Sequence, residues 1–176
     1  NHQKKNKPYT KSNKKKKPKK NNGYVEYDYL CATTLTYFFL EMLAKKINCK
    51  INLRKYLIYV LLATVCDVMP LRKMNRLISI IALKEFDLKD NYLIKKIYDL
   101  SQKKNKININ DLGFLIGPIL NAGGRLGKSN YATELMSTSS QKIIDDKTTK
   151  LIALNEKRKK IESVILNTID FRKIEK

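Results

Sequence analysis

A mainly α-helical chain is expected from three observations in the sequence. From Tyr29 onward, apolar residues recur at three- and four-residue spacing, the period of a helix with one buried stripe. The stretch Leu53–Cys66 is apolar on almost every face beyond Lys55, as in a helix buried at the centre of a bundle. From about Thr138 to its end the sequence reads as one long helix with a single apolar stripe, its other positions filled by Lys and Glu.

Residues 1–23 come first and differ in kind. Residues 1–22 carry ten Lys and no acid, and Gly23 closes the run; with no apolar period, this segment reads as a basic loop. Cys31, Leu35, Phe38, Phe39 and Met42 then mark a helix running to about Lys46. Asn52 is placed to cap a second helix over about 53–66, which runs into Asp67-Val68-Met69-Pro70, with Pro70 as the stop. Helices are expected at about 73–86, 91–101 and 111–120. The last of these meets the glycine-rich stretch Asn121-Ala122-Gly123-Gly124-Arg125-Leu126-Gly127, read as a turn. A short helix at about 130–137 follows. Thr138-Ser139-Ser140-Gln141 has the spacing of a capping box, and a long helix should open there. Ile144, Leu151, Leu154, Ile161, Ile165 and Ile169 form its stripe.

The net charge of +21 on 176 residues points to an anionic partner, most often nucleic acid. Lysine accumulated on solvated faces is the competing explanation, because the chain is also rich in Asn and Ile and has no Trp. Cys31, Cys49 and Cys66 are scattered, in no metal-ligand spacing, and suit reduced thiols in a cytoplasmic protein. Uncharged stretches such as Tyr29–Leu40 and Tyr56–Cys66 fall short of the ~20 apolar residues that cross a bilayer, so no membrane association is expected.

Two places invite chemistry. Asp67 sits directly after the apolar helix, where a carboxylate needs a cation, a metal or backbone donors; local hydrogen bonding at a helix end is the plainer alternative. The glycine cluster with Arg125 could bring backbone N–H groups and a bidentate cation to a phosphate, or simply end a helix. No Gly-Lys-Ser/Thr follows it, so it is no Walker loop. His2 is the single histidine, and no Ser–His–acid triad can be assembled.

In this order and spacing the pieces resemble one family. Ala63-Thr64-Val65-Cys66-Asp67-Val68-Met69-Pro70-Leu71, followed by Asn75-Arg76, is similar to a signature of RecJ-type exonucleases of the DHH phosphoesterase superfamily. Ile116-Gly117-Pro118-Ile119-Leu120-Asn121-Ala122-Gly123-Gly124-Arg125-Leu126-Gly127 resembles its second signature. Leu154-Asn155-Glu156-Lys157-Arg158 resembles the start of the helix that links the DHH and DHHA1 domains. The resemblance implies the helical C-terminal portion of an α/β DHH domain: residues 1–23 a remnant of the DHH-motif region, 24–137 the helical part, and 138–176 the connector helix toward a DHHA1 domain.

It further implies a monomeric parent enzyme that hydrolyses single-stranded DNA from 5′ to 3′ with Mn2+ or Mg2+ in a two-metal site. Asp67 would then be a metal ligand, Asn121, Gly123, Gly124 and Arg125 would face substrate phosphates, and His2 would be a catalytic histidine. Asn1-His2-Gln3 does not spell the Asp-His-His motif, Ile119 stands where an Arg is common, and the earlier aspartate motifs are absent from the sequence. An internal fragment, inactive alone, is therefore expected. The alternatives are a shorter relative acting on oligoribonucleotides or cyclic dinucleotides, and a non-catalytic basic module that binds nucleic acid.

Overall fold

The computed structural model describes residues 27–125, 127 and 130–169. His2 and the basic run therefore lie outside the described residues. Among the described residues every regular element is helical, as the apolar period requires.

Helix α1 (Ala32–Lys46) leads to α2 (Leu57–Cys66), α3 (Lys73–Glu85) and α4 (Tyr92–Leu100). A three-residue α5 (Ile109–Asp111) continues through a π-helical turn (Leu112–Ile116) into α6 (Gly117–Arg125), and α7 (Asn130–Ser137) and α8 (Gln141–Thr168) complete the chain order. Helix α2 is the hub. Leu57, Ile58, Val60, Leu61, Leu62 and Thr64 are all buried in it, and α1, α3 and the π turn pack around it. On the other side of the core, α8 lies against α4 and α6 through Ile144, Thr148, Leu151 and Asn155.

Several local expectations are revised. Asn52 does accept a hydrogen bond, from Arg54 N at 3.1 Å, but it opens a short 3-10 turn (Arg54–Tyr56), and α2 proper starts only at Leu57. The helix expected at 111 starts two residues earlier, because Asn108 and Asp111 form the capping box: Asn108 Oδ1 accepts from Asp111 N and Asp111 Oδ2 accepts from Asn108 N. The box at Thr138 does not form. Thr138 Oγ1 accepts from Ser140 N instead, and the helix opens at Gln141 without a side-chain cap.

Asp111 does more than cap. It is buried, accepts from Tyr98 Oη at 2.7 Å, and pairs with Lys103 Nζ at 3.0 Å. Burial pushes its carboxyl up, but the bonds from Tyr98 and Lys103 outweigh that and hold it below its ordinary value. One carboxylate thus ties the end of α4 to the start of α5.

The first half of α8 belongs to the same core as α4 and α6. From Glu156 onward the helix emerges, and Ile161, Val164 and Ile165 on it are exposed.

Candidate functional site

The site is built where α2 ends. Asp67 is the residue after the last helical turn, and its side chain is exposed. The chain leaves the helix through a Schellman motif: Val68 N donates to Val65 O at 3.1 Å and Met69 N to Thr64 O at 3.0 Å, with Val68 at φ +53°. That conformation is normally left to glycine, and a β-branched residue there is strained. Val68 is 87% exposed, so packing does not hold it there; the two hydrogen bonds do. Pro70 lies beyond this turn and is not what ends the helix.

Two glycines fix the height of α2 against its neighbour. A Cβ on Gly113 would lie 3.0 Å from Val65 Cγ1, and one on Gly117 would lie 2.4 Å from Cys66 Sγ. Only glycine admits this approach, and it seats the residue before Asp67 directly on the π turn–α6 junction. Burial, and secondarily the Asp67 charge, push the Cys66 thiol up.

Asn75 secures the loop from the other side. It is completely buried, and its Nδ2 donates to Tyr29 O at 2.6 Å and to Pro70 O at 3.1 Å. Its Oδ1 is buried with no partner among the described residues. The Tyr29 ring, itself buried, carries Arg72 at 5.4 Å and Lys73 at 5.8 Å from its centroid. These contacts were missed in the sequence, where nothing periodic connects Tyr29 with residues 43 and 44 positions later.

The second motif differs from its expected form. Asn121, Gly123, Gly124 and Arg125 lie in α6 rather than in a loop. Helical backbone commits its N–H groups to carbonyls one turn earlier, so these four residues do not form a backbone cradle. What they offer is side chains: Asn121 and Arg125 are exposed, Gly123 is buried, and Gly124 faces open space. The left-handed residue is Gly127, at φ +75°, just beyond the helix. Asn121 lies one turn, about 6 Å of rise, past the Gly117 contact with Cys66. Among the described residues no hydrogen bond or ion pair joins Asp67 to Asn121 or Arg125.

Among the described residues no three His, Cys, Asp or Glu side chains gather as a metal site. Asp67 can supply one ligand; two divalent ions need several more carboxylate or histidine donors. The described donor set therefore does not fit a two-metal centre by itself. Among the described residues no helix is long and apolar enough to cross a membrane.

No family model matches the chain. The described fold is shared with the crystal structure of RecJ in complex with Mn2+ from Thermus thermophilus. That match has a TM-score of 0.63 at 21% identity and covers 72% of this chain and 19% of that one. The Mg2+ complex of the same protein matches with a TM-score of 0.62. By fold, then, this is a helical segment of the kind built into that larger structure. The sequence relations are more particular. The single-stranded-DNA-specific exonuclease RecJ of Haemophilus influenzae is 32% identical over 116 residues, 64% of this chain. Those of Salmonella typhimurium and Escherichia coli are each 34% identical over 113 residues. The chain is RecJ-like, and it spans about a fifth of the length of these relatives.

Proposed function

We propose that this chain is the helical part of a divalent-metal-dependent exonuclease that degrades single-stranded DNA from 5′ to 3′. In it Asp67 supplies one metal ligand, while Asn121 and Arg125 present side chains to substrate phosphates. The remaining metal ligands come from outside the described residues. One observation carries the reading: Asp67 stands exposed at the tip of a buried helix, on a turn fixed by Gly117 below and Asn75 beside it. Among the described residues Asp67 accepts no hydrogen bond, which leaves its exposed oxygens open to a cation. The likeness of the chain to RecJ sequences supports the assignment.

Two measurements test it. In the whole nuclease, Asp67→Ala should abolish Mn2+-dependent digestion of a 5′-phosphorylated single strand while far-UV circular dichroism and melting stay unchanged. Near-normal turnover in that variant would refute the assignment. The 176-residue chain alone should show no digestion under the same conditions, since one exposed carboxylate cannot hold two metal ions tightly.

A further inference from the structure

The segment that follows Asp67 carries a second feature that the nuclease reading leaves unused. Arg72, Lys73 and Arg76 are all exposed and lie within nine residues of Asp67. The first two are not loose. Both sit over the buried Tyr29 ring, and Tyr29 is pinned through its carbonyl by the buried Asn75. Lys73 holds a left-handed backbone, φ +48°, as it enters α3. The first turn of α3 contains no acid, and among the described residues one carboxylate, Asp28, reaches this cluster, at 3.4 Å from Arg72. Exposed apolar side chains flank the cations on both sides in the chain: Val68 and Leu71 before them, Leu77 and Ile80 after.

We propose that Arg72 and Lys73, set on the Tyr29–Asn75 platform, form with the exposed Arg76 a ridge that binds the phosphodiester backbone of a single-stranded nucleic acid. Fixed cations suit a repeating anion because less side-chain freedom is lost on binding. The exposed apolar residues that flank them suit unpaired bases, which a duplex would keep stacked inside. The ridge begins five residues after Asp67 in the chain, and both are exposed. This deepens, and rests on, the reading of Asp67 as part of a nucleic-acid-cleaving site.

The test is fluorescence anisotropy of a labelled oligothymidylate with the full 176-residue chain. The ridge variant Arg72→Ala/Lys73→Ala/Arg76→Ala is compared with Lys157→Ala/Lys159→Ala/Lys160→Ala on the emergent part of α8. Both lose three cations and both keep the ten Lys of residues 1–22, so bulk charge cancels. The ridge variant should bind about tenfold more weakly, with a salt slope smaller by about 2, as expected for three lost contacts to single-strand phosphates at about 0.7 each. The α8 variant should bind within about twofold of wild type, and melting curves confirm that both fold.

Equal weakening in the two variants would overturn the ridge, as would the absence of oligonucleotide binding by the wild-type chain. An effect confined to phosphatidylserine vesicles would replace nucleic acid with a membrane surface and also overturn it. Asp67→Ala in the whole nuclease separates this from the parent reading. Loss of turnover there with unchanged binding by the ridge variant sinks the ridge alone, and retained turnover sinks the metal-ligand reading alone.

Discussion

Gly117→Ala is the most demanding check on how the site is held. In a helix interior, Ala is favoured over Gly by about 1 kcal/mol, and Gly117 lies in helical backbone at φ −56°, so propensity alone predicts a more stable protein. The contact geometry predicts the reverse. The added Cβ would lie 2.4 Å from Cys66 Sγ and 3.1 Å from Leu112 O, and the second neighbour is backbone and cannot rotate away. Over-packing of this kind costs about 1–3 kcal/mol; the depth of the clash puts it near the upper end, leaving a net loss of about 2 kcal/mol. For a chain of this size that lowers Tm by about 4–8 °C. Removing the sulfur should restore part of it: Gly117→Ala/Cys66→Ala should be more stable than the sum of the two single changes by about 1–2 kcal/mol, the coupling typical of residues in contact. Thermal melts of the four proteins followed by far-UV circular dichroism give the cycle. A Gly117→Ala variant that melts at or above wild type would refute the close-approach argument, and so would strict additivity. In the whole nuclease the same substitution should cost activity beyond its effect on stability, since the displaced residue precedes Asp67.

Other consequences follow from the same turns. Val68→Gly should stabilise the chain by about 0.5–1 kcal/mol, because the left-handed conformation costs a branched residue about 1–2 kcal/mol and glycine's larger unfolded-state entropy returns part of that; a urea midpoint at or below wild type would contradict it. Asp111→Asn should cost about 3 kcal/mol, since it removes the charge that Lys103 and Tyr98 address in a buried setting, and a loss under about 1 kcal/mol would show the cluster to be dispensable. The wild-type pH profile follows from the depressed Asp111 carboxyl. Its stabilisation is complete above the unfolded value of about 3.9 and is lost as pH falls through the lower folded value. Stability should therefore drop below about pH 4, and the Asp111→Asn profile should be flatter there.

Much of the fold was legible because its elements follow one rule. The three-and-four spacing of Ile78 and Ala82 in α3, and of Leu93, Ile94, Ile97 and Tyr98 in α4, marks buried faces directly. What stayed hidden was hidden for physical reasons. Helices α1, α2 and α4 all end in left-handed turns, at Asn48, Val68 and Gln102, each closed by the paired backbone bonds of a Schellman motif. None of the three is glycine, so the usual signal for such a cap is missing. The glycines sit elsewhere. Gly113 and Gly117 serve helix-to-helix approach, and Gly123 and Gly124 are helical, so reading glycine density as a loop put a turn where α6 continues. Asp111 looked like the first residue of a helix; its second role, bonded to Tyr98 and Lys103, depends on contacts the local pattern does not encode.

The candidate site shows the same division. That Asp67 would stand at the edge of the core was visible, because a charge cannot continue a run such as Leu57–Cys66. That it would be held there was not, since its supports come from three separate places in the chain. Gly117 sets how closely α2 may approach α6, and the Val65 and Thr64 carbonyls hold Val68 in its strained turn. Asn75 then ties Pro70 back to Tyr29. A surface carboxylate on an unsupported loop would fluctuate by more than a metal or phosphate contact tolerates. Here the strain at Val68 and the completely buried Asn75 both act on the few residues that aim Asp67, which is the arrangement expected where position, rather than stability, is what the turn must supply.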